Sequence, residues 1–505
     1  MHRRLWLAIS LALAPAAPAS PASLEHLRMQ MASRLEAPEA TGALWGVQVV
    51  SLRTGRVWFE TNAGARMIPA SNTKLFIAAL ALDRLGPEHR LITTLQISAP
   101  PDADGRLAGP LRIVGGGDPS WSARWHGGSW TRAWAPLVGA VRRAGIRQVG
   151  GGLICDDSRF QGPPFGSGWD WEDLAGSYGA PVSALSAGDN TVTLTATPGA
   201  ARGAPVHLRL APEGSGLVVE NRVITGAERS PVRIQLYRLP GDSRLAVSGS
   251  VPPGKPLVIG EASVPTPALW FGNLFREALE RDGIRVAGPS RHGAIPDPVP
   301  GTPAAAGWQP VGSVPSPPVR ELVREMMKAS QNLHAQLLLL AVGADERSHR
   351  ATAAGNLTTT EEAGLTALPA LLQAAGIPKG EVFLEEGSGL SRKNLATPRS
   401  LVRLLAHMRR HSAASAWMAS LPVGGVDGTL QSRFSRPGLK GNVRAKTGAL
   451  RHVQALSGYL TNSIGEPLIF SIVVNNHLPM EGHPGARETV DALVESLALS
   501  AVREP

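Results

Sequence analysis

The chain has 505 residues, a formal net charge of +10 and a single cysteine. This length exceeds one ordinary domain, and a single cysteine excludes an intrachain disulfide. The basic residues are mostly Arg spread along the chain, without the dense runs or interleaved aromatic residues that mark a nucleic-acid groove, so we expect no nucleic-acid partner. The charge is compatible with a carboxylate-rich substrate or with peripheral association at an anionic membrane surface.

The first residues have the pattern of a secretory signal peptide. Two arginines precede an apolar stretch from Leu5 to Ala14, and small residues follow at Ala19 and Ala22, where cleavage is expected. The apolar stretch is too short to span a bilayer, and no later run of about 18 apolar residues predicts a transmembrane anchor. Residues 1–22 are therefore predicted to direct export of a mature chain that has no membrane anchor.

A predicted helix places a serine close to a lysine. Two predicted strands at residues 44–51 and 56–60 are followed by an S-x-x-K string, Ser71 to Lys74, and an apolar helical pattern. The spacing puts both side chains on one helical face, near free N–H groups that favour developing negative charge. A buried Lys74 could lose its proton near neutral pH and act as a base toward Ser71. The alternative is a helix cap with an extended surface lysine.

The stretch from about residue 89 to 311 differs from the rest of the chain. It is rich in Gly and Pro, and short alternating runs at residues 191–195, 206–210 and 233–237 predict a largely β structure. The proline-rich residues 296–318 are predicted to be a loose return linker. Cys155, within an apolar run, is predicted to be a buried core residue.

A second string lies between two helical patterns. Ser330 and Asn332 form S-x-N between predicted helices at residues 319–328 and 333–342. The hydroxyl could relay a proton to a leaving amine, and the carboxamide could hold a substrate amide. A helix N-cap pair is the alternative. His334 is expected to be a helix-surface or packing residue.

The third string lies in a predicted strand. Lys446, Thr447 and Gly448 form K-T-G, and two further strands and an amphipathic helix at residues 487–499 follow. These strands are expected to share one antiparallel sheet with the strands at residues 44–60. Lys446 would bring a cation to a cleft, and Thr447 would add a hydroxyl donor. Gly448 would allow a substrate backbone to lie close against the strand. An exposed edge-strand lysine is the alternative.

The ordered S-x-x-K, S-x-N and K-T-G strings resemble those of the serine β-lactamase and penicillin-binding protein superfamily. The match narrows to the class C low-molecular-mass penicillin-binding proteins, the D-alanyl-D-alanine carboxypeptidase/endopeptidases, a serine peptidase family. The segments that carry this narrower similarity are 115–119, 180–185, 386–394 and 421–430.

The resemblance implies an α+β fold. In this fold, a serine β-lactamase/transpeptidase-like catalytic domain has an antiparallel sheet flanked by helices. A large, mostly β insertion into this domain forms one or two extra domains. The implied division is a catalytic domain at 23–88 and 312–505, an inserted second domain at 89–177 and 259–311, and a nested third domain at 178–258.

The resemblance also implies the role of each site residue. Ser71 attacks, Lys74 is the base and Ser330 passes a proton to the leaving amine. The substrate contacts are Asn332 for the peptide, Lys446 and Thr447 for the terminal carboxylate, Gly448 in the strand beside the substrate, and the amides of Ser71 and Ala449 for the oxyanion.

Other positions concern substrate preference. Arg392 matches a family arginine that lines a side pocket for a diaminopimelate arm. No acidic residue occurs between Phe160 and Gly168, where some relatives place its partner, so the preferred side chain stays open. Three residues depart from the family's usual sequence. Glu386 and Gln331 each stand in place of an Asp, and Ala449 stands in place of a Ser or Thr.

We therefore predict a periplasmic serine DD-peptidase that acts on peptidoglycan stem peptides, is inhibited by β-lactams, and uses neither a metal nor an organic cofactor. The ratio of carboxypeptidase to endopeptidase activity is left open. A serine β-lactamase of the same superfamily and a non-catalytic wall-binding or scaffold protein are the alternatives.

Overall fold

The computed structural model describes residues 23–293, 307–350 and 358–503; the predicted signal peptide lies outside them. Within these ranges the helices are α1 (Leu24–Leu35), α2 (Thr73–Arg84), α3 (Trp130–Arg143), α4 (Pro267–Arg281), α5 (Val319–Ala329), α6 (Asn332–Arg350), α7 (Thr360–Leu365), α8 (Leu368–Ala374), α9 (Pro398–Met408), α10 (Ala414–Ser420) and α11 (Ala486–Leu499). The strands are β1 (Leu44–Ser51), β2 (Val57–Thr61), β3 (Ile92–Ile97), β4 (Arg106–Leu107), β5 (Leu111–Val114), β6 (Gln148–Val149), β7 (Leu153–Asp156), β8 (Thr191–Thr197), β9 (His207–Ala211), β10 (Val218–Thr225), β11 (Arg233–Tyr237), β12 (Arg244–Val251), β13 (Leu257–Ser263), β14 (Arg285–Val286), β15 (Ser290–His292), β16 (Gln309–Pro315), β17 (Val382–Phe383), β18 (Leu395–Ala396), β19 (Arg444–Leu450), β20 (Val453–Thr461) and β21 (Pro467–Asn475).

The two ends of the described chain share one antiparallel sheet. Its five strands lie in the order β19, β20, β21, β1, β2. Val47 of β1 is opposite Ile472 of β21, which in turn is opposite Leu456 of β20. Successive side chains of a strand point to opposite faces, and β20 and β21 are buried on both faces almost throughout. The expected sheet that joins the two chain ends is confirmed.

Helices cover both faces of this sheet. One face packs against α2, α5, α6 and α9 through an apolar cluster that includes Phe76, Leu322, Leu338 and Leu404. The other face packs against α1 and α11. Every residue of α2 from Thr73 to Leu82 is buried. A helix that is apolar on all sides lies inside a protein, and α2 therefore carries its lysine into the core.

The chain between α2 and α5 is mostly β, as predicted. It forms a mixed sheet of β15, β7, β5, β3 and β16, and three smaller three-stranded sheets. The helices α3 and α4 contribute Trp134 and Phe271, whose rings meet edge to face at 4.9 Å. Cys155 is buried in β7, which confirms its predicted core position. The α+β class with a mostly β insertion is confirmed, and the division into domains at the residues given above stays a prediction.

The predicted loose linker at residues 296–318 is wrong where the structure describes it. Strand β16 pairs antiparallel with β3 at the edge of the mixed sheet, with a bulge between Pro310 and Gly312. Proline is tolerated at sheet edges and bulges because its missing N–H needs no partner there. The prolines therefore mark an edge strand. Residues 294–306 lie outside the described ranges.

Among the described residues, no helix combines the length and the apolar character that a bilayer crossing requires.

Candidate active site

Ser71 lies in a short 3-10 turn that leads directly into α2. The turn spans Ala70–Asn72, and Ala70 adopts a left-handed φ of 48°, an uncommon conformation that concentrates at functional sites. Gly389 packs against this turn with φ of 84°, and a Cβ there would lie 2.1 Å from the Ala70 carbonyl oxygen. The glycine therefore permits the close approach that holds the serine in place.

The Lys74 amine meets three oxygen atoms. Its Nζ lies 2.9 Å from Ser71 Oγ, 2.7 Å from Asn332 Oδ1 and 2.5 Å from the Ser388 carbonyl oxygen. The last two oxygens can only accept hydrogen bonds. When the amine is neutral, its two hydrogens go to these acceptors and its lone pair faces Ser71 Oγ. This arrangement allows Lys74 to take the serine proton.

The environment of Lys74 favours that neutral form. The side chain is completely buried, and this burial lowers the pKa of Lys74 to about 7, although the nearby charge of Glu386 acts in the opposite direction. Burial excludes the alternative of an extended surface lysine.

Asn332 begins helix α6 and is held in a fixed orientation. Its Nδ2 donates to the Tyr178 carbonyl oxygen at 2.9 Å, and this bond places Oδ1 toward Lys74. The preceding Ser330 ends α5 in a left-handed conformation with φ of 59°. The short connection between α5 and α6 therefore brings Asn332 to Lys74 and Ser330 to Lys446.

Lys446 reaches the same group from strand β19. Its Nζ donates to Ser330 Oγ at 2.7 Å and to the Thr447 carbonyl oxygen at 2.9 Å. The side chain is completely buried, and burial together with the charge of Lys74 lowers its pKa well below the usual value. The alternative of an exposed edge-strand lysine is therefore wrong.

The remaining K-T-G residues lie along β19, the edge strand of the sheet. Thr447 Oγ1 bonds Thr429 Oγ1 at 2.8 Å. Gly448 is buried against the Ser71 turn, where an added Cβ would lie 2.8 Å from the Pro69 carbonyl oxygen. Ala449 is exposed. Residues 422–424 pair with the start of β19 at Arg444 and Ala445. The edge farther along the strand, next to the nucleophile, can accept an extended peptide as an added strand.

These residues open into a cleft of about 1470 Å³. Ser71, Ser330, Asn332, Arg392 and Ala449 line it. The structure thus brings the predicted residues of all three strings to one place, with Lys446 behind Ser330.

The cleft also contains acidic residues that the sequence reasoning missed. Asp170, Glu172 and Asp173 line it together with Arg392, whose guanidinium donates to the Arg451 carbonyl oxygen at 3.0 Å. Burial and the two neighbouring acids raise the pKa of Asp173, while the charge of Arg392 lowers it. An acidic residue whose pKa responds to the charge of Arg392 is therefore present, just after residues 160–168. The charged run that follows Trp169 was the signal for it.

His334 does not join the site. It is completely buried, its Nε2 lies 3.3 Å from Asp189 Oδ1, and its ring stacks on Trp125 with centroids 6.1 Å apart. The predicted packing role is therefore confirmed and the helix-surface alternative is wrong.

Comparison with known proteins identifies similar sequences and folds. The model of the D-Ala-D-Ala carboxypeptidase 3 (S13) family matches residues 27–498. A D-alanyl-D-alanine carboxypeptidase of Actinomadura sp. (strain R39) is 35% identical over 95% of this chain and 86% of the relative.

Two solved structures share the fold. The structure of penicillin binding protein 4 (dacB) from Haemophilus influenzae covers 92% of this chain and 97% of its own, with 24% identity and a TM-score of 0.75. The same protein complexed with a novel β-lactam has 23% identity and a TM-score of 0.71 with the same coverage. On the family match and the Actinomadura relative together, this chain belongs to the D-Ala-D-Ala carboxypeptidase 3 (S13) family.

Proposed function

We propose that this protein is a periplasmic serine DD-peptidase that cleaves the D-Ala-D-Xaa bond of peptidoglycan stem peptides through an acyl-enzyme. The observation that carries the proposal is the contact between Lys74 Nζ and Ser71 Oγ in a buried site where burial lowers the pKa of the lysine to about 7. A lysine of this kind is a suitable base for a serine nucleophile.

In the proposed first step, Ser71 Oγ attacks the carbonyl carbon of the scissile bond and its proton passes to Lys74. The backbone amides of Ser71 and Ala449 stabilise the oxyanion. As the C–N bond breaks, Ser330 gives its hydroxyl proton to the leaving amine and takes one from Lys446 Nζ, which donates to it. Water then attacks the ester on Ser71. Its proton returns to Lys446 through Ser330, and Lys74 returns its proton to Ser71 Oγ.

The other side chains position the substrate. Asn332 holds the peptide amide and Thr447 binds the terminal carboxylate, while Lys446, buried behind Ser330, holds the Ser330 hydroxyl through its hydrogen bond. Gly448 and Ala449 let the peptide extend along the edge of β19. A β-lactam would enter by the same route and acylate Ser71, and the β-lactam complex of the Haemophilus structure supports this proposal.

We further propose that Arg392 and Asp173 bind the third residue of the stem peptide. An arginine and an acid on the same cleft suit a side chain that ends in both a carboxylate and an ammonium group, such as diaminopimelate. The surrounding Asp170 and Glu172 favour the ammonium end.

The test is incubation of the protein with a fluorescent penicillin, followed by mass mapping of the label. We expect one adduct on Ser71, no adduct in Ser71→Ala, and slow release of the label. An unlabelled Ser71 in the folded protein would refute the mechanism. Rapid turnover of the penicillin would instead identify a β-lactamase, and unchanged behaviour of Ser71→Ala a non-catalytic wall-binding protein.

A further inference from the structure

Glu386 is a buried acid next to the proposed base. It lies between β17 and β18 and has no exposed surface. Its carboxylate oxygens accept from the backbone N–H groups of Ser388 and Gly389, both at 2.6 Å, and from Ser388 Oγ at 2.6 Å, Asn394 Nδ2 at 2.7 Å and Trp169 Nε1 at 3.0 Å. Amide and indole N–H groups only donate, so their convergence requires an acceptor on both oxygens. A carboxylate meets this requirement.

Glu386 acts on Lys74 through the neighbouring backbone. By binding the N–H groups of Ser388 and Gly389, the carboxylate fixes the loop whose Ser388 carbonyl oxygen lies 2.5 Å from Lys74 Nζ. Its charge also opposes the effect of burial on the pKa of Lys74. The same residue therefore influences the direction of the lysine hydrogens and the ease with which the lysine loses its proton.

The insertion supports this loop in two places. Trp169 donates directly to Glu386. Ser167 donates its backbone N–H to Glu361 at 3.2 Å, Glu361 accepts from Gln336, and Gln336 Oε1 accepts from the Gly387 N–H at 2.9 Å. The loop beside Lys74 is thus supported by Ser167 and Trp169 of the insertion. The same segment continues into the acidic residues of the cleft.

We propose that Glu386 is a positioning residue that holds the Ser388 carbonyl against Lys74, anchors the Trp169 segment and supplies a negative charge that acts on the lysine. This inference rests on the proposed function, because it concerns the base of that reaction. The other charged groups near this pair are Lys446 on β19, whose pKa the charge of Lys74 lowers, and Glu361 on α7, whose pKa the charge of Glu386 raises.

The test is the pH profile of Ser71 acylation by a fluorescent penicillin in the full chain and in Glu386→Gln. Loss of the negative charge lowers the pKa of Lys74 further, so we expect the midpoint of the acid limb to move down by about 1 pH unit. The glutamine NH2 faces N–H donors, so the plateau rate is expected to fall roughly tenfold. A purely structural role would lower the plateau without moving the midpoint.

Two variants complete the experiment. Trp169→Phe removes one hydrogen bond but keeps the charge, so its midpoint should stay at that of the parent. Glu386→Asp keeps the charge on a shorter side chain, and we expect the parent midpoint with a reduced plateau. If Glu386→Gln does not fold, Glu386→Asp still tests the inference, because a midpoint displaced to low pH in Glu386→Asp would overturn it.

The outcomes separate this inference from the function on which it rests. A parent protein that is labelled at Ser71, with an unchanged or raised midpoint in folded Glu386→Gln, overturns the role of Glu386 alone. A parent protein without a Ser71 adduct overturns the proposed function and this inference together.

Discussion

Acidification should slow acylation of Ser71 in proportion to the protonation of Lys74. Only the neutral amine can accept the serine proton, and burial lowers the pKa of Lys74 to about 7. At that pKa about half of the protein has a neutral Lys74 at pH 7, about one-eleventh at pH 6 and about one-hundredth at pH 5. The acylation rate should therefore fall about tenfold for each pH unit below 6 and level off above pH 8.

The measurement is the initial rate of covalent labelling by a fluorescent penicillin between pH 5 and 9, stopped with denaturant and quantified on a gel. Tryptophan fluorescence at each pH checks that the protein stays folded. The matched control is Lys379→Gln, which removes an exposed lysine that makes no contact with Ser71 and should leave the midpoint in place. A flat profile from pH 5 to 8, or a midpoint close to the ordinary lysine value of 10.5, would refute the role of Lys74 as the base.

Three further predictions concern binding and stability. Asn332→Ala removes one acceptor of the Lys74 amine, and we expect penicillin acylation to slow about 100-fold, as measured by gel labelling of the folded variant. Arg392→Ala and Asp173→Asn should each lower kcat/KM about tenfold or more for a peptide with diaminopimelate at the third position, while penicillin acylation changes little; equal losses for both ligands would contradict the proposed side pocket. Phe76→Ala empties a fully buried position in α2 and should cost about 3–5 kcal/mol of unfolding free energy in a urea titration.

The sequence predicted those parts of the site that depend on local spacing. Ser71 and Lys74 are three residues apart, and helical geometry alone brings them together. The contacts of Lys74 with Asn332 and the Ser388 carbonyl join segments far apart in the chain, and no local pattern encodes such distances. The order of the three strings and the family resemblance supplied the expectation that they meet.

Other features depended on the tertiary environment. The prolines of β16 are compatible with a strand only because this strand lies at a sheet edge, and the sequence does not show which strands are edges. His334 is polar, yet its helix face is covered by the insertion, where Asp189 and Trp125 are its partners. Asp173 lies beyond Gly168, outside the segment in which an acid was expected, and only the folded chain brings it to the same cleft as Arg392.

The pairing of β1 with β21 has a consequence for the order in which the molecule folds. The segment that carries Ser71 is made well before β21, which lies between β1 and β20 in the central sheet. Contacts so distant in sequence form slowly, because the intervening chain must be ordered or closed into a loop first. Until β21 has been made, the early segment therefore lacks its sheet partner. The capacity to bind penicillin should therefore appear only once β21 has been made and can pair with β1. A shortened chain that ends before β21 would be inert, although it contains every residue of the three strings.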